Sequence, residues 1–265
     1  MKKRWYAAAG ALLALACLLA FFLLRPAPEP TAVEEAVQQS VMQARSGRKA
    51  EALTETPEEA APYVSPVDFE SLWAMNEDIY AWLDIPGTDI SFPVLQREGD
   101  DSYYLRRNSQ GEDDMNGVIF TESAYNGRDF SDPATVVYGH HMRSGAMFGQ
   151  LQETYSSLEG LQEYGEIIIY LPEEEIHYQV FAGIPFSNIH VLYYHDFSKP
   201  YIYEAFLEHI RSIRGIDANV STEIEVSPED QMLILSTCLQ GNNQRRYLVL
   251  AKRIDDRTSM PGVED

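Results

Sequence analysis

Cys238 ends the apolar run Met232-Leu233-Ile234-Leu235-Ser236-Thr237 and is followed, after Leu239, by the polar stretch Gln240-Gly241-Asn242-Asn243-Gln244. A strand giving way to a turn holds a side chain rigidly from one side and opens it on the other, which suits a nucleophile. The position equally suits a buried core cysteine, and this segment alone leaves both readings open. Only a thiolate attacks, and a free thiol has a pKa of about 8.5, so a nucleophilic cysteine needs a proton partner. His140 and His141 follow the apolar segment Thr135-Val136-Val137-Tyr138 and Gly139, again at a strand end. Neighbouring strand residues point to opposite faces, so the two histidines are not expected to share a metal ion, and one of them is expected to face Cys238. His177, His190, His195 and His209 lack such a setting and are expected to be structural or surface residues. Attack on a carbonyl builds negative charge on oxygen, which a fixed cation can stabilise. Arg245 and Arg246 open the last apolar strand a short turn after Cys238, and strand alternation sends only one of them inward. The competing reading of that pair is two solvated charges before an edge strand.

These residues need a scaffold of short strands. Runs rich in Val, Ile, Tyr and Phe between turn residues predict strands at 90–95, 117–121, 135–140, 166–171, 176–184, 222–226, 232–237 and 246–254. About eight such strands suggest a barrel or sandwich. Helices are expected at 67–76, opened near Asp68, at 146–155, and at 201–213, where Ile202, Phe206, Ile210 and Ile213 share one face inside a long connection. A Gly-rich phosphate loop and paired-cysteine zinc spacing are both lacking, so neither cofactor nor metal is expected.

The chain has 265 residues, 45% of them hydrophobic, enough for one sizeable domain. Asp and Glu number 41 against 20 Lys and Arg, a net charge of −21, and this argues against nucleic-acid binding. Lys2, Lys3 and Arg4 precede an apolar run from Trp5 to Leu24 that Arg25 closes. About 20 apolar residues match a bilayer core, and the basic cluster predicts a cytoplasmic N-terminus with the rest outside. A cleaved signal peptide is the competing reading; the length of the run and Arg25-Pro26 at its end favour a retained anchor. The domain expectation is therefore anchor at 1–25, extracellular spacer at 26–66, catalytic domain at 67–256 and tail at 257–265. With Cys17 inside the apolar run, Cys238 has no internal disulfide partner.

Taken together, Leu235-Ser236-Thr237-Cys238 resembles the nucleophile motif of the sortase family. Tyr138-Gly139-His140-His141-Met142 resembles its histidine motif, and Arg246-Tyr247-Leu248-Val249-Leu250-Ala251-Lys252 its arginine strand. Ile85-Pro86-Gly87-Thr88, Phe92-Pro93-Val94, Tyr103-Tyr104-Leu105 and Gly145-Ala146-Met147-Phe148 are also similar, so the resemblance covers roughly residues 76–254. The helix at 201–213 is similar to the insertion that marks class B, although Ile234-Leu235 stands where class B often has Thr-Leu. The resemblance implies a mostly β fold: an eight-stranded barrel with an N-terminal helix and a helix in the long connection before the Cys-bearing strand. It implies a cysteine transpeptidase in which Cys238 attacks a C-terminal sorting signal, Arg246 stabilises the oxyanion and His140 moves the proton, with His141 and Arg245 as bystanders. Leu105, Tyr138 and Ser236 would line the sorting-signal groove. The implied partners are sorting-signal-bearing surface proteins and an amine of a cell-wall precursor or a pilin, met at the outer face of the membrane. A hydrolase using the same acyl-enzyme and a noncatalytic sortase-like scaffold with a buried Cys238 are the rival readings.

Overall fold

The computed structural model describes residues 29–51 and 63–254. Its strands are β1 Ile79–Asp84, β2 Ser91–Leu95, β3 Ile119–Phe120, β4 Ala134–Tyr138, β5 Glu166–Tyr170, β6 Glu175–Ser187, β7 Asn219–Val220, β8 Met232–Leu239 and β9 Asn242–Ile254. Hydrogen bonds from β5 to both β1 and β6 close eight of them, in the order β5-β1-β2-β3-β4-β8-β9-β6, into a barrel. The short β7 adds to β6 outside the ring. The β2–β3 and β4–β8 pairs are parallel, and the other pairs are antiparallel. A parallel pair needs a long crossover, and the one from β4 to β8 carries most of the helices.

Three apolar layers explain why several strands read as continuous hydrophobic runs instead of alternating. Leu233 and Leu235 of β8 face the barrel interior with Val137, Val249, Ile167 and Leu83, and that end of the barrel is plugged by Leu151, Tyr155 and Leu161. The last three come from helices α3 (Leu151–Tyr155) and α4 (Leu158–Glu163). Ile234, on the opposite face of β8, packs outward with Val136, Leu248 and Leu250 under α6, Pro200–Ser212. That helix buries Tyr203, Phe206, Leu207 and Ile210, each contributing about 1.5–3 kcal/mol by leaving water. Strands covered on both faces are apolar on both faces.

The third layer corrects the expectation of a free spacer. Helix α1, Ala32–Glu51, is docked on the barrel and buries Val37 and Val41 against Trp82, Leu95 and Tyr170. It begins with a reciprocal cap: the Glu34 amide donates to Thr31 Oγ1 at 3.2 Å, and the Thr31 amide donates to Glu34 Oε2 at 2.7 Å. Gln38 donates to the Ser91 carbonyl at 2.9 Å, and Arg45 pairs with Asp84, a fully buried carboxylate in the middle of the sheet. Helix α2, Phe69–Met75, capped by Asp68 as expected, packs Phe69 and Leu72 into the same layer.

Two strand expectations are also corrected. Residues 222–226 form no strand, and the barrel strand they were expected to supply is β1. Its sequence Ile79-Tyr80-Ala81-Trp82-Leu83-Asp84 is buried throughout, so it lacks the alternation that marks a half-exposed strand. The helix expected at 146–155 is confined to α3, because residues 142–150 are occupied by turns, including Gly145 at a φ of 87°. Among the described residues no helix is long and apolar enough to cross a membrane; the expected anchor at 1–25 and tail at 257–265 lie outside the described residues.

Removing Arg45 leaves the Asp84 carboxylate in the barrel wall without that cation. Arg45→Met is expected to lower stability by about 3 kcal/mol in urea unfolding monitored by tryptophan fluorescence, whereas an unchanged midpoint would show that α1 contributes little to the fold.

Candidate active site

The register of three adjacent strands brings the chemistry together. Tyr138 of β4 pairs with Ser236 of β8, and Ser236 pairs with Leu248 of β9. Two residues further along, β8 places Cys238 opposite Arg246. Next to it the register shifts sharply, because Leu239 already pairs with Asn242. Residues 243–245 are therefore extra on β9, a bulge beside the cysteine of the kind that re-aims a side chain. Parity then decides which face each residue takes. Leu235, Val249 and Val137 point into the barrel, so Thr237 and Tyr247 do too, and both are buried. Ser236, Cys238, Arg246 and Leu248 face outward with Ile234 and Val136.

Arg246 Nη1 approaches Cys238 Sγ at 3.7 Å. Cys238 is free of any disulfide and is half-buried. Arg245, one residue earlier, is exposed and offers its carbonyl to Arg246 Nη1 at 3.3 Å, so of the two arginines only Arg246 meets the thiol.

His140 continues β4 just as Cys238 continues β8. The Gly139 amide donates to the Ser236 carbonyl at 3.1 Å, extending the parallel pairing to the residue before the histidine. His140 Nε2 lies 3.0 Å from the Leu105 carbonyl, and because a carbonyl only accepts, this bond puts the ring proton on Nε2. Leu105 belongs to a single 3₁₀ turn, Tyr103–Arg106, held by the Tyr104 hydroxyl, which donates to Asp78 at 2.7 Å and accepts from Asn76 at 2.8 Å. Two glycines make the approach possible. A Cβ on Gly117, where φ is 59°, would meet the Tyr104 and Leu105 carbonyls at 2.7 and 2.8 Å and the His140 ring at 3.1 Å. A Cβ on Gly139 would lie 2.6 Å from the buried Phe148 ring. His141 leaves the site: it forms an isolated bridge with Met147, and burial followed by the Arg143 charge presses its imidazole below the usual range.

Beside Arg246 runs a groove of about 280 Å³ whose lining includes Leu105, Tyr138 and Ser236, the three expected groove residues. Phe120, Phe186 and Leu248 supply its apolar floor, and Phe120 stacks on Tyr138 at 5.5 Å. A larger cavity of about 610 Å³ beside α4 and β7 contains none of these residues. The sequence reading missed Glu122 and His190, which also line the groove. Burial raises the Glu122 carboxyl, with His190 and Tyr138 opposing it, and burial together with the Glu122 charge holds the Tyr138 phenol far above its usual range. Neither residue has a local signal, since Glu122 follows the two-residue β3 and His190 lies in a loop. Among the described residues no cluster of metal-ligating side chains occurs.

A family model described as the Sortase domain matches residues 83–254. Sortase B of Listeria monocytogenes is 30% identical over 182 residues, 64% of this chain and 67% of that protein. The solved structure of Clostridium perfringens sortase B superposes with a TM-score of 0.61 at 28% identity, covering 71% of this chain and 100% of the other. A Streptococcus pyogenes class B sortase involved in pilus biogenesis superposes at 0.59 with 26% identity, covering 71% and 98%.

Gly139→Ala forces Phe148 or the end of β4 to move. The expected outcome is a loss of about 1–3 kcal/mol in urea unfolding together with displaced His140 imidazole resonances in NMR. Unmoved resonances would mean that Gly139 does not set the histidine's position.

Proposed function

The chain belongs to the sortase family and is a class B-like cysteine transpeptidase, and from that premise we propose that it cleaves a C-terminal sorting signal and transfers the protein to a cell-wall amine, using Cys238, His140 and Arg246. The observation that carries the assignment is the 3.7 Å approach of Arg246 to the Cys238 thiol across paired strands, with His140 at the end of the next strand.

In this reading the signal lies along the Leu105, Tyr138 and Ser236 groove, with its scissile carbonyl at the Arg246 end. The Cys238 thiolate attacks that carbonyl carbon, and the electron pair moves to oxygen, where the guanidinium donates to it. The C–N bond then breaks, the leaving amine takes a proton from His140, and a thioester remains. Because Nε2–H is held by the Leu105 carbonyl, Nδ1 is the nitrogen that takes the proton released when the Cys238 thiol becomes a thiolate, passes it to the leaving amine and later removes one from the incoming amine. Attack by that amine breaks the C–S bond, forms the new amide and returns the Cys238 thiolate beside protonated His140. The apolar run at 5–24 would anchor the enzyme at the outer membrane face, where both reactants arrive. A pilin lysine as acceptor is a second reading, favoured by the Streptococcus pyogenes relative described as involved in pilus biogenesis.

The test is intact-mass spectrometry of the full chain with candidate sorting peptides, with and without oligoglycine, diaminopimelate or a lysine peptide. A Cys238-dependent acyl adduct that an amine converts to a ligated product is expected, with no adduct in Cys238→Ala. Arg246→Ala is expected to lower kcat/KM by roughly 10²–10³. Release of hydrolysed peptide alone would favour a hydrolase, and an unreactive Cys238 would favour a scaffold.

A further inference from the structure

One wall of the groove comes from a single loop. Ser187, Asn188, Ile189, His190 and Val191 all line it, between the end of β6 and the short helix α5, Val191–Tyr194. His190 is engaged at both ring nitrogens. Nδ1 accepts the Tyr193 amide at 3.1 Å, which requires that nitrogen to be unprotonated and leaves the ring proton on Nε2. Nε2 lies 2.8 Å from Glu122 Oε2, within ion-pair distance, although no N–H is aimed squarely at that oxygen. The ring also lies 4.7 Å from Tyr125, 6.3 Å from Tyr138 and 6.5 Å from Tyr193.

The two ends of this contact differ in how they are held. Glu122 lies two residues past β3 at the start of a turn, where its carbonyl accepts the Tyr125 and Asn126 amides at 3.1 and 3.0 Å. Its carboxylate is mostly buried, with 16% of the side chain exposed. His190, in contrast, lies between exposed residues 187–189 and the segment Val191–Tyr194, in which Val191 is buried in the core and Tyr193 and Tyr194 are 69% and 63% exposed. The Glu122 end is held by these backbone bonds, and the exposed stretch of loop before Val191 is the part left to fix.

We propose that the Glu122–His190 contact is a latch that fixes this loop as a wall of the peptide groove, so that His190 is a positioning residue for substrate. The proposal rests on the reading that the groove takes the sorting peptide. Fixing the loop beforehand lowers the ordering cost paid on binding, so the latch acts on KM and not on the chemistry at Cys238. His190→Gln preserves a donor toward Glu122, while His190→Leu and Glu122→Ala remove the contact from either side.

The experiment compares the full chain with these three variants and the double variant His190→Leu/Glu122→Ala. In each single deletion the peptide KM is expected to rise about tenfold, the double variant to be no worse than either single one, and His190→Gln to recover most of the loss. The rates of kcat and of Cys238 modification by a small methanethiosulfonate are expected to change less than about twofold. Hydrogen exchange at the Tyr193 amide is expected to quicken in Glu122→Ala, a readout that needs no turnover. Unchanged exchange, additive KM effects, or equal losses in kcat and thiol reactivity would each overturn the latch. Quickened exchange in a protein that processes no sorting peptide would keep the latch and reject the peptide reading of the groove.

Discussion

Closure of the barrel is the constraint on which the site depends. Because β5 bonds to both β1 and β6, no strand can slip without breaking a pairing elsewhere in the ring. A one-residue slip of β8 would drive Ser236 and Cys238 into the apolar interior and turn Thr237 out. The bulge at residues 243–245 then shifts the register next to the pair that sets Arg246 across from Cys238. The site is thus assembled from strand ends whose positions are fixed by the entire ring, while the loops around it supply the groove.

The electrostatics of the site run against the rest of the molecule. The chain carries a net charge of −21, yet the cation nearest the nucleophile is held beside it by backbone register. A guanidinium remains charged at any working pH, so in the proposed mechanism its part in meeting a developing oxyanion would not depend on titration. The groove lining also holds the carboxylates Asp101 and Glu122, the latter 2.8 Å from His190. A peptide in this groove would therefore meet a positive end and an acidic wall.

Helix α1 shows how a polar-looking segment can belong to a folded domain. Its apolar stripe is narrow, essentially Val37 and Val41 with Val33 at the edge, and its remaining contacts are polar: Gln38 to Ser91 and Arg45 to Asp84. Periodicity detects wide stripes, so the segment read as spacer. Asp84 is the residue that required a partner, since a carboxylate at zero exposure is costly without a cation. That requirement exists only once β1 is buried, and β1 itself was hidden by its lack of alternation.

The sequence alone determined the motifs around Cys238, His140 and Arg246, a mostly β domain whose strands left barrel and sandwich open until the family resemblance implied a barrel, and the helix in the long connection, because these are carried by local order: apolar runs ending at Cys238 and His140, and a helical face of Phe206 and Ile210. Tertiary structure alone decided that Arg246 and not Arg245 meets the thiol, and that His140 extends β4 beside Ser236 while His141 bridges to Met147, since parity and register are properties of paired strands. It also decided that the Leu105 carbonyl orients His140, and that Glu122 and His190 meet 68 positions apart in the chain at 2.8 Å. Contacts of that kind arise when barrel closure folds distant segments together, and no window of neighbouring residues contains them.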